Sequence, residues 1–102
     1  MKLPPKDPAE LKTVRFKFAS ELASAETIAS VQSLTVALTA GTDPTPNAIL
    51  SGTTSIDGAT KEVHQNVTGG LAGCDYELRC LVLGSTGLKH LVVGTLPVRT
   101  ET

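Results

Sequence analysis

Polar and apolar residues alternate over several short stretches of the chain, a pattern typical of half-buried β-strands. The clearest stretch in the N-terminal half is residues 11–18, where Val14, Phe16 and Phe18 share one face. Apolar residues of the same region also recur at helical spacing, but Phe16 interrupts that stripe. We therefore predict a strand over residues 11–18 and allow a helical turn over residues 20–26.

Turn residues separate the alternating stretches at intervals of about 8–12 residues. Asp57-Gly58 predicts a hairpin, because both residues accept the positive φ of a two-residue turn. Gly84-Ser85-Thr86-Gly87 predicts a second hairpin further along. These signals predict an all-β domain of about seven strands, either a β-sandwich or a small barrel. The predicted strands are residues 11–18, 33–39, 48–51, 52–56, 59–67, 75–83 and 88–97.

The first residues of the chain differ from the rest in proline content. Residues 1–9 contain three of the six prolines, Pro4, Pro5 and Pro8. Proline restricts φ and lacks a backbone N–H, so this segment is predicted to be an extended arm outside the core. Residues 10–102 contain no repeat or low-complexity segment and are predicted to form a single β-sandwich domain.

Charge and hydropathy argue against several classes of partner. The 102 residues carry 9 basic and 10 acidic side chains and contain no basic tract. Such a chain lacks the electrostatic surface that nucleic acids and anionic membranes require. No apolar run approaches the ~20 residues of a membrane-spanning helix. We therefore expect neither a nucleic acid nor a membrane as partner.

Groups able to carry catalysis or hold a metal are few and scattered. His64 and His90 are more typical of exposed or hydrogen-bonded strand positions than of general bases. Cys74 and Cys80 lie six residues apart in a predicted strand, too far for a disulfide, and are expected to be small buried side chains. No metal-ligand spacing is present. We predict a non-enzymatic protein with no catalytic residue, cofactor or metal.

Several short motifs resemble a family of small virion proteins of tailed bacteriophages. Lys6-Asp7-Pro8 matches the KDP-type start of that family, and Glu26-Thr27-Ile28-Ala29-Ser30 is similar to its DTI-x-S segment. Ile49-Leu50-Ser51-Gly52 and the later Gly70-Leu71-Ala72-Gly73-Cys74-Asp75-Tyr76 resemble its LSGG-x-xG-x-xY passage. Genes of this family are described as encoding fibre-tail adaptors or minor head and decoration proteins. The resemblance covers most of residues 6–98.

The resemblance implies an immunoglobulin-like antiparallel β-sandwich and a structural role in the virion, as a capsid decoration protein or a tail or fibre adaptor. Expected partners are other virion proteins, of capsid or tail, and a second copy of the chain. The expected location is the virion, after synthesis in the cytoplasm of the bacterial host. We expect the arm to bind a partner, since a pre-extended segment loses little entropy on docking. The candidate partner-binding residues are Leu3, Pro4, Pro5, Lys6, Asp7 and Pro8.

An exposed sheet edge is a second candidate contact, because 21 Ser and Thr residues leave the outward strand faces largely uncharged. The alternative function is an immunoglobulin-like adhesion or carbohydrate-binding module. That function needs an aromatic-lined pocket or a calcium cluster. The chain has two Phe, one Tyr and no Trp, which makes this alternative the weaker one.

Overall fold

The computed structural model describes residues 3–100, which form two antiparallel three-stranded sheets in a sandwich-like arrangement. This confirms the all-β prediction. The first sheet has the order β1-β4-β3 and the second the order β2-β5-β6. The strands are β1 (Leu11–Lys17), β2 (Ile28–Ala40), β3 (Leu50–Asp57), β4 (Glu62–Thr68), β5 (Asp75–Gly84) and β6 (Lys89–Pro97). Residues 3–100 contain no helix with the length and apolar character to cross a membrane.

Two of the predicted strands, residues 48–51 and 52–56, are replaced by one. Pro46 begins a short 3₁₀ helix, Pro46–Ile49, that takes up the first half of residues 48–51. Gly52 adopts a φ of 70°, and the register between β3 and β4 shifts around it. A bulge of this kind lets a strand bend and continue where a turn was expected. The described residues therefore contain six strands.

The interior lies between the two sheets and is filled by alternate side chains. Along β5, Tyr76, Leu78, Cys80 and Val82 are all fully buried. Burial of each large apolar side chain contributes about 1.5–3 kcal/mol. Cys74 is also buried, and both cysteines are free thiols, as expected. The alternation of fully buried and more exposed side chains along β5 is the pattern that its sequence predicted.

The β3–β4 hairpin forms, but with a longer turn than Asp57-Gly58 suggested. The loop spans four residues, 58–61, and the positive φ falls on Lys61 at 56°. The Asp57 carboxylate accepts hydrogen bonds from the backbone N–H groups of Ala59 at 3.0 Å and Thr60 at 3.3 Å. Asp57 thus shapes the loop through its side chain, as an Asx turn does.

The molecule is elongated, with principal extents of 45 × 22 × 22 Å. One end, here called the hairpin end, contains the two hairpin loops and the segment 18–27, which forms turns and no helix. Lys61 Nζ donates to the Ser24 carbonyl at 2.9 Å, and Thr27 N donates to Ser85 Oγ at 3.0 Å. The opposite end, called the arm end, contains the N-terminal residues.

Candidate protein interface

The N-terminal arm follows the C-terminal half of β6. Leu3 N donates to the Thr95 carbonyl and Lys6 N donates to the Pro97 carbonyl, each at 2.9 Å. An isolated parallel bridge joins Lys6 to Val98. The arm therefore lies on its own sheet and covers part of the outer edge of β6.

Lys6 is a buried residue of the arm and anchors it to the rest of the protein. Its exposed fraction is 2%, and its Nζ donates to the carbonyls of Gly69 at 2.7 Å and Asp7 at 2.9 Å. Burial holds the pKa of Lys6 below its usual value, although the carboxylates of Glu10 and Asp7 act in the opposite direction. Lysine is rarely buried, so nothing in the sequence pointed to this role.

The other candidate arm residues differ in exposure. Pro4 and Pro5 are exposed, while Leu3 and Pro8 are partly buried. Asp7 begins a turn in which its carboxylate accepts a hydrogen bond from the backbone two residues later, at 2.8 Å. Only the two neighbouring prolines thus combine full exposure with a restricted backbone.

The arm forms one wall of a groove of about 160 Å³ between β1 and β6, here called the lateral groove. Its walls are mainly apolar. The lining residues are Leu3, Pro4, Pro5, Lys6, Lys12, Thr13, Val14 and Leu96.

A second groove, of about 360 Å³, lies at the tip of the arm end and is called the end groove. The arm contributes Pro8, and the segment between β2 and β3, the last residue of β4 and the loop after β4 contribute the rest. Leu71, on its rim, has 48% of its surface exposed. The lining residues are Pro8, Asp43, Thr45, Ala48, Ile49, Thr68, Gly69, Gly70 and Leu71. The arm therefore contributes to both grooves, through residues 3–6 in the lateral groove and Pro8 in the end groove.

A hydrogen-bonded pair, Tyr76 and Asp43, holds the loops of the end groove together. The Tyr76 hydroxyl donates to Asp43 Oδ2 at 2.7 Å and accepts from Leu71 N at 2.9 Å. The hydrogen bond from the Tyr76 hydroxyl lowers the pKa of Asp43, and a second one from Thr45 N at 2.9 Å acts in the same direction. Burial, reinforced by Asp43, raises the pKa of Tyr76 to about 12. Asp43 is therefore an anion at neutral pH and Tyr76 a neutral donor.

Sequence reasoning also missed Glu26, at the hairpin end. Its exposed fraction is 3%, and it accepts hydrogen bonds from Thr86 Oγ1 at 2.6 Å and Ala23 N at 3.2 Å. His90 Nε2 lies 3.3 Å from the same carboxylate, and His64 Nε2 pairs with Glu62 at 2.9 Å. Each histidine therefore belongs to a separate local pair.

The aromatic residues do not form a binding surface. Phe16, Phe18 and Tyr76 are all fully buried. A sugar or a base therefore finds no exposed aromatic ring on which to stack. Residues 3–100 also contain no group of three or more His, Cys, Asp or Glu side chains placed to hold a metal ion. The surface features of the arm end are two grooves, exposed prolines and a few charged side chains.

Comparison with known protein families identifies the family to which the chain is similar. Residues 6–95 match the family model described as "Podophage GP4 fiber-tail adaptor protein gp77". The matched range begins at the buried anchor Lys6 and ends in β6, so it includes both sheets. No curated protein matches significantly.

Proposed function

Because the chain belongs to the podophage GP4 fiber-tail adaptor family, as its short motifs indicated, we propose that it joins a fibre to the phage tail without catalysing a reaction. Membership of this family makes the chain a component of the virion, where its neighbours are other virion proteins. The proposal also includes synthesis in the host cytoplasm and an immunoglobulin-like strand topology.

The proposed docking surface is supported by one observation: the arm and two loops meet at one tip of an elongated molecule. Pro4 and Pro5 are exposed and line the lateral groove, and Pro8 lines the end groove. Because Lys6 and the β6 edge already hold the arm, little conformational entropy is lost when a partner binds it. We place the contact with the tail at this arm end.

Two alternatives are separated by simple measurements. A capsid decoration protein would be present in enough copies to cover the head, whereas an adaptor would be limited to the tail, so quantitative mass spectrometry of particles distinguishes them. An adhesion or carbohydrate-binding module would bind glycans on an array, and no exposed aromatic side chain supports that function. Contact with a second copy of the chain is a further part of the proposal, which sedimentation velocity tests.

The arm proposal is tested with a double substitution, Pro4→Asp with Pro5→Asp, in a binding assay on tail particles that lack both this chain and the fibres. We expect binding at least about tenfold weaker, equivalent to about 1.4 kcal/mol. The matched control places the same two charges at the hairpin end, through Ala19→Asp with Ser20→Asp, where both side chains are exposed. The control is expected to bind like the wild type.

These variants are preferable to removal of residues 1–9. That deletion also removes the Lys6 anchor and its hydrogen bond to Gly69, so loss of binding would not be separable from loss of structure. Normal binding by the folded arm variant would refute the arm contact. Failure of the wild-type chain to bind any tail particle would refute the adaptor function itself.

A further inference from the structure

The end groove has apolar walls and a single charge. Pro8, Ala48 and Leu71 supply the accessible apolar surface, and Asp43 is the only ionisable residue among those that line it. At about 360 Å³ the groove falls within the range of sites that hold small ligands or a few side chains.

Asp43 differs from the other carboxylates of the arm end. Its hydrogen bonds come from the Tyr76 hydroxyl and from Thr45, and within residues 3–100 it forms no ion pair. The other carboxylates lie beside basic side chains: Glu10 beside Lys12 at 3.0 Å, Asp75 beside Arg99 at 2.7 Å, and Asp7 beside Lys6. The charge left uncompensated at this end is therefore the one that lines the groove.

The Lys6 ammonium does not supply the missing counter-charge. Its hydrogen bonds go to the carbonyls of Gly69 and Asp7, and its nearest carboxylates are Glu10 and Asp7. Asp43 instead faces a groove whose shape is held by Tyr76, which bonds both Asp43 and the backbone of Leu71. The anion is thus held in place before a partner arrives, which reduces the cost of binding.

We propose that the end groove binds an extended segment of a tail protein that places a basic side chain against Asp43 and an apolar side chain beside Leu71. This inference rests on the proposed adaptor function and specifies the chemistry of its partner. A charge that is enclosed by a partner contributes more to specificity than one on an open surface, because water no longer screens it. An acidic or neutral segment is correspondingly disfavoured.

Two substitutions of similar size and opposite charge test this proposal. Ala48 is exposed and lines the groove, so Ala48→Lys and Ala48→Glu add similar bulk next to Asp43 without removing any contact inside the protein. The probe is the same preparation of tail particles, with separately purified fibres as a second probe. We expect Ala48→Lys to weaken binding to the tail particles by about tenfold, and Ala48→Glu to bind them within about threefold of the wild type.

Each result has a definite meaning. Equal weakening by both substitutions would show a contact decided by size, and weakening by Ala48→Glu alone would show an acidic partner. Either result, or wild-type binding by both variants, would overturn the inference while leaving the adaptor function intact. If the wild-type chain bound neither probe, the adaptor function would fail instead. Thermal melting of both variants checks that they fold.

Discussion

Individual buried polar side chains hold the loops of this protein in place. Lys6, Glu26 and Gln65 are almost fully buried, and each has hydrogen-bond partners. Gln65, for example, donates to the Ser51 carbonyl at 2.9 Å beside the bulge in β3. A buried polar group that loses its partner costs about 1–3 kcal/mol. These positions therefore determine how the loops are placed, and the apolar residues determine the sheets.

Tyr76→Phe removes the hydroxyl that joins the two loops of the end groove. We expect a loss of about 1–3 kcal/mol in unfolding free energy at neutral pH, because Asp43 and the Leu71 N–H each lose a partner. The pKa of Tyr76 is raised from 10.0 to about 12, so its contribution is complete below pH 10 and is lost as the pH rises towards 12. The difference between wild type and variant should therefore shrink over this range, in urea unfolding measured at several pH values.

The thiol of Cys80 contributes to the pH dependence of both proteins in the same way. Burial raises the pKa of its thiol from 9.0 to about 12, so wild type and Tyr76→Phe both lose stability above pH 9 for this reason. Only the tyrosine contribution should separate the two curves. Parallel curves from pH 9 to 12 would contradict the assignment.

At the scale of strands and turns, each outer strand carries a feature that discourages pairing with another chain. The arm covers part of β6, and Asn47 Oδ1 accepts a hydrogen bond from Val36 N in β2 at 3.0 Å. A bulge interrupts β3, and β1 presents the exposed lysines Lys12 and Lys17. Such features limit edge-to-edge association. They favour docking through the grooves and loops over addition of a strand.

Two glycines in turns allow the effect of crowding to be separated from that of backbone strain. Gly41 and Gly87 have φ values of 84° and 90°, so alanine is strained at both. A Cβ at Gly41 would lie 2.6 Å from Cys74 Sγ, whereas a Cβ at Gly87 meets nothing within 4 Å. We expect Gly87→Ala to cost about 1–2 kcal/mol in unfolding free energy.

Gly41→Ala is expected to cost about 1–3 kcal/mol more than Gly87→Ala, because crowding adds to strain. Denaturant unfolding of the two variants measures the difference directly. Equal losses would mean that the loop around Gly41 moves away from Cys74 at no cost.

The whole molecule is a short rod whose two ends are secured by different polar networks. Tyr76 and Lys6 hold the arm end, and Glu26 holds the segment 18–27 against the β5–β6 hairpin through Thr86. The two ends are separated along the 45 Å axis of the molecule. Stability at the hairpin end can therefore be altered without touching the proposed docking surface.

Glu26→Gln tests the network of the hairpin end. The hydrogen bond from Thr86, with smaller contributions from Ala23 and His90, lowers the pKa of Glu26 below 4.5 despite the opposing effect of burial. Because the pKa is lowered in the folded state, ionised Glu26 stabilises the fold above about pH 4.5. This stabilisation is lost as the pH falls through the pKa of the folded state. We expect Glu26→Gln to be less stable at pH 7 and to lose less stability on acidification, measured by thermal unfolding.

The control for this substitution is Glu21→Gln, at an exposed position of the same segment. It is expected to follow the wild-type acid curve. Glu26→Gln would contradict the assignment if its stability fell as steeply as that of the wild type between pH 5 and pH 3.

The sequence by itself determined the all-β class, most of the strands and both hairpins. Side chains alternate across a strand with a period of two, so burial along β5 is visible in the order of its residues. Turns are also visible in the sequence, because each turn type requires particular backbone angles that only a few residue types favour. The motifs around Lys6, Glu26 and Leu50 indicated the family that the match over residues 6–95 established. All of these signals are local or depend on the order of short segments.

Only the tertiary structure decided which polar residues are buried and which segments meet. The sequence marked Lys6 as one of six candidate partner-binding residues in the arm, but the fold buries it against Gly69, 63 positions away. The pairing of Asp43 with Tyr76 across 33 positions, which shapes the end groove, left no periodic signal. Hydrogen bonds of this kind depend on where the loops of two packed sheets meet, and that is set by the packing of the whole core.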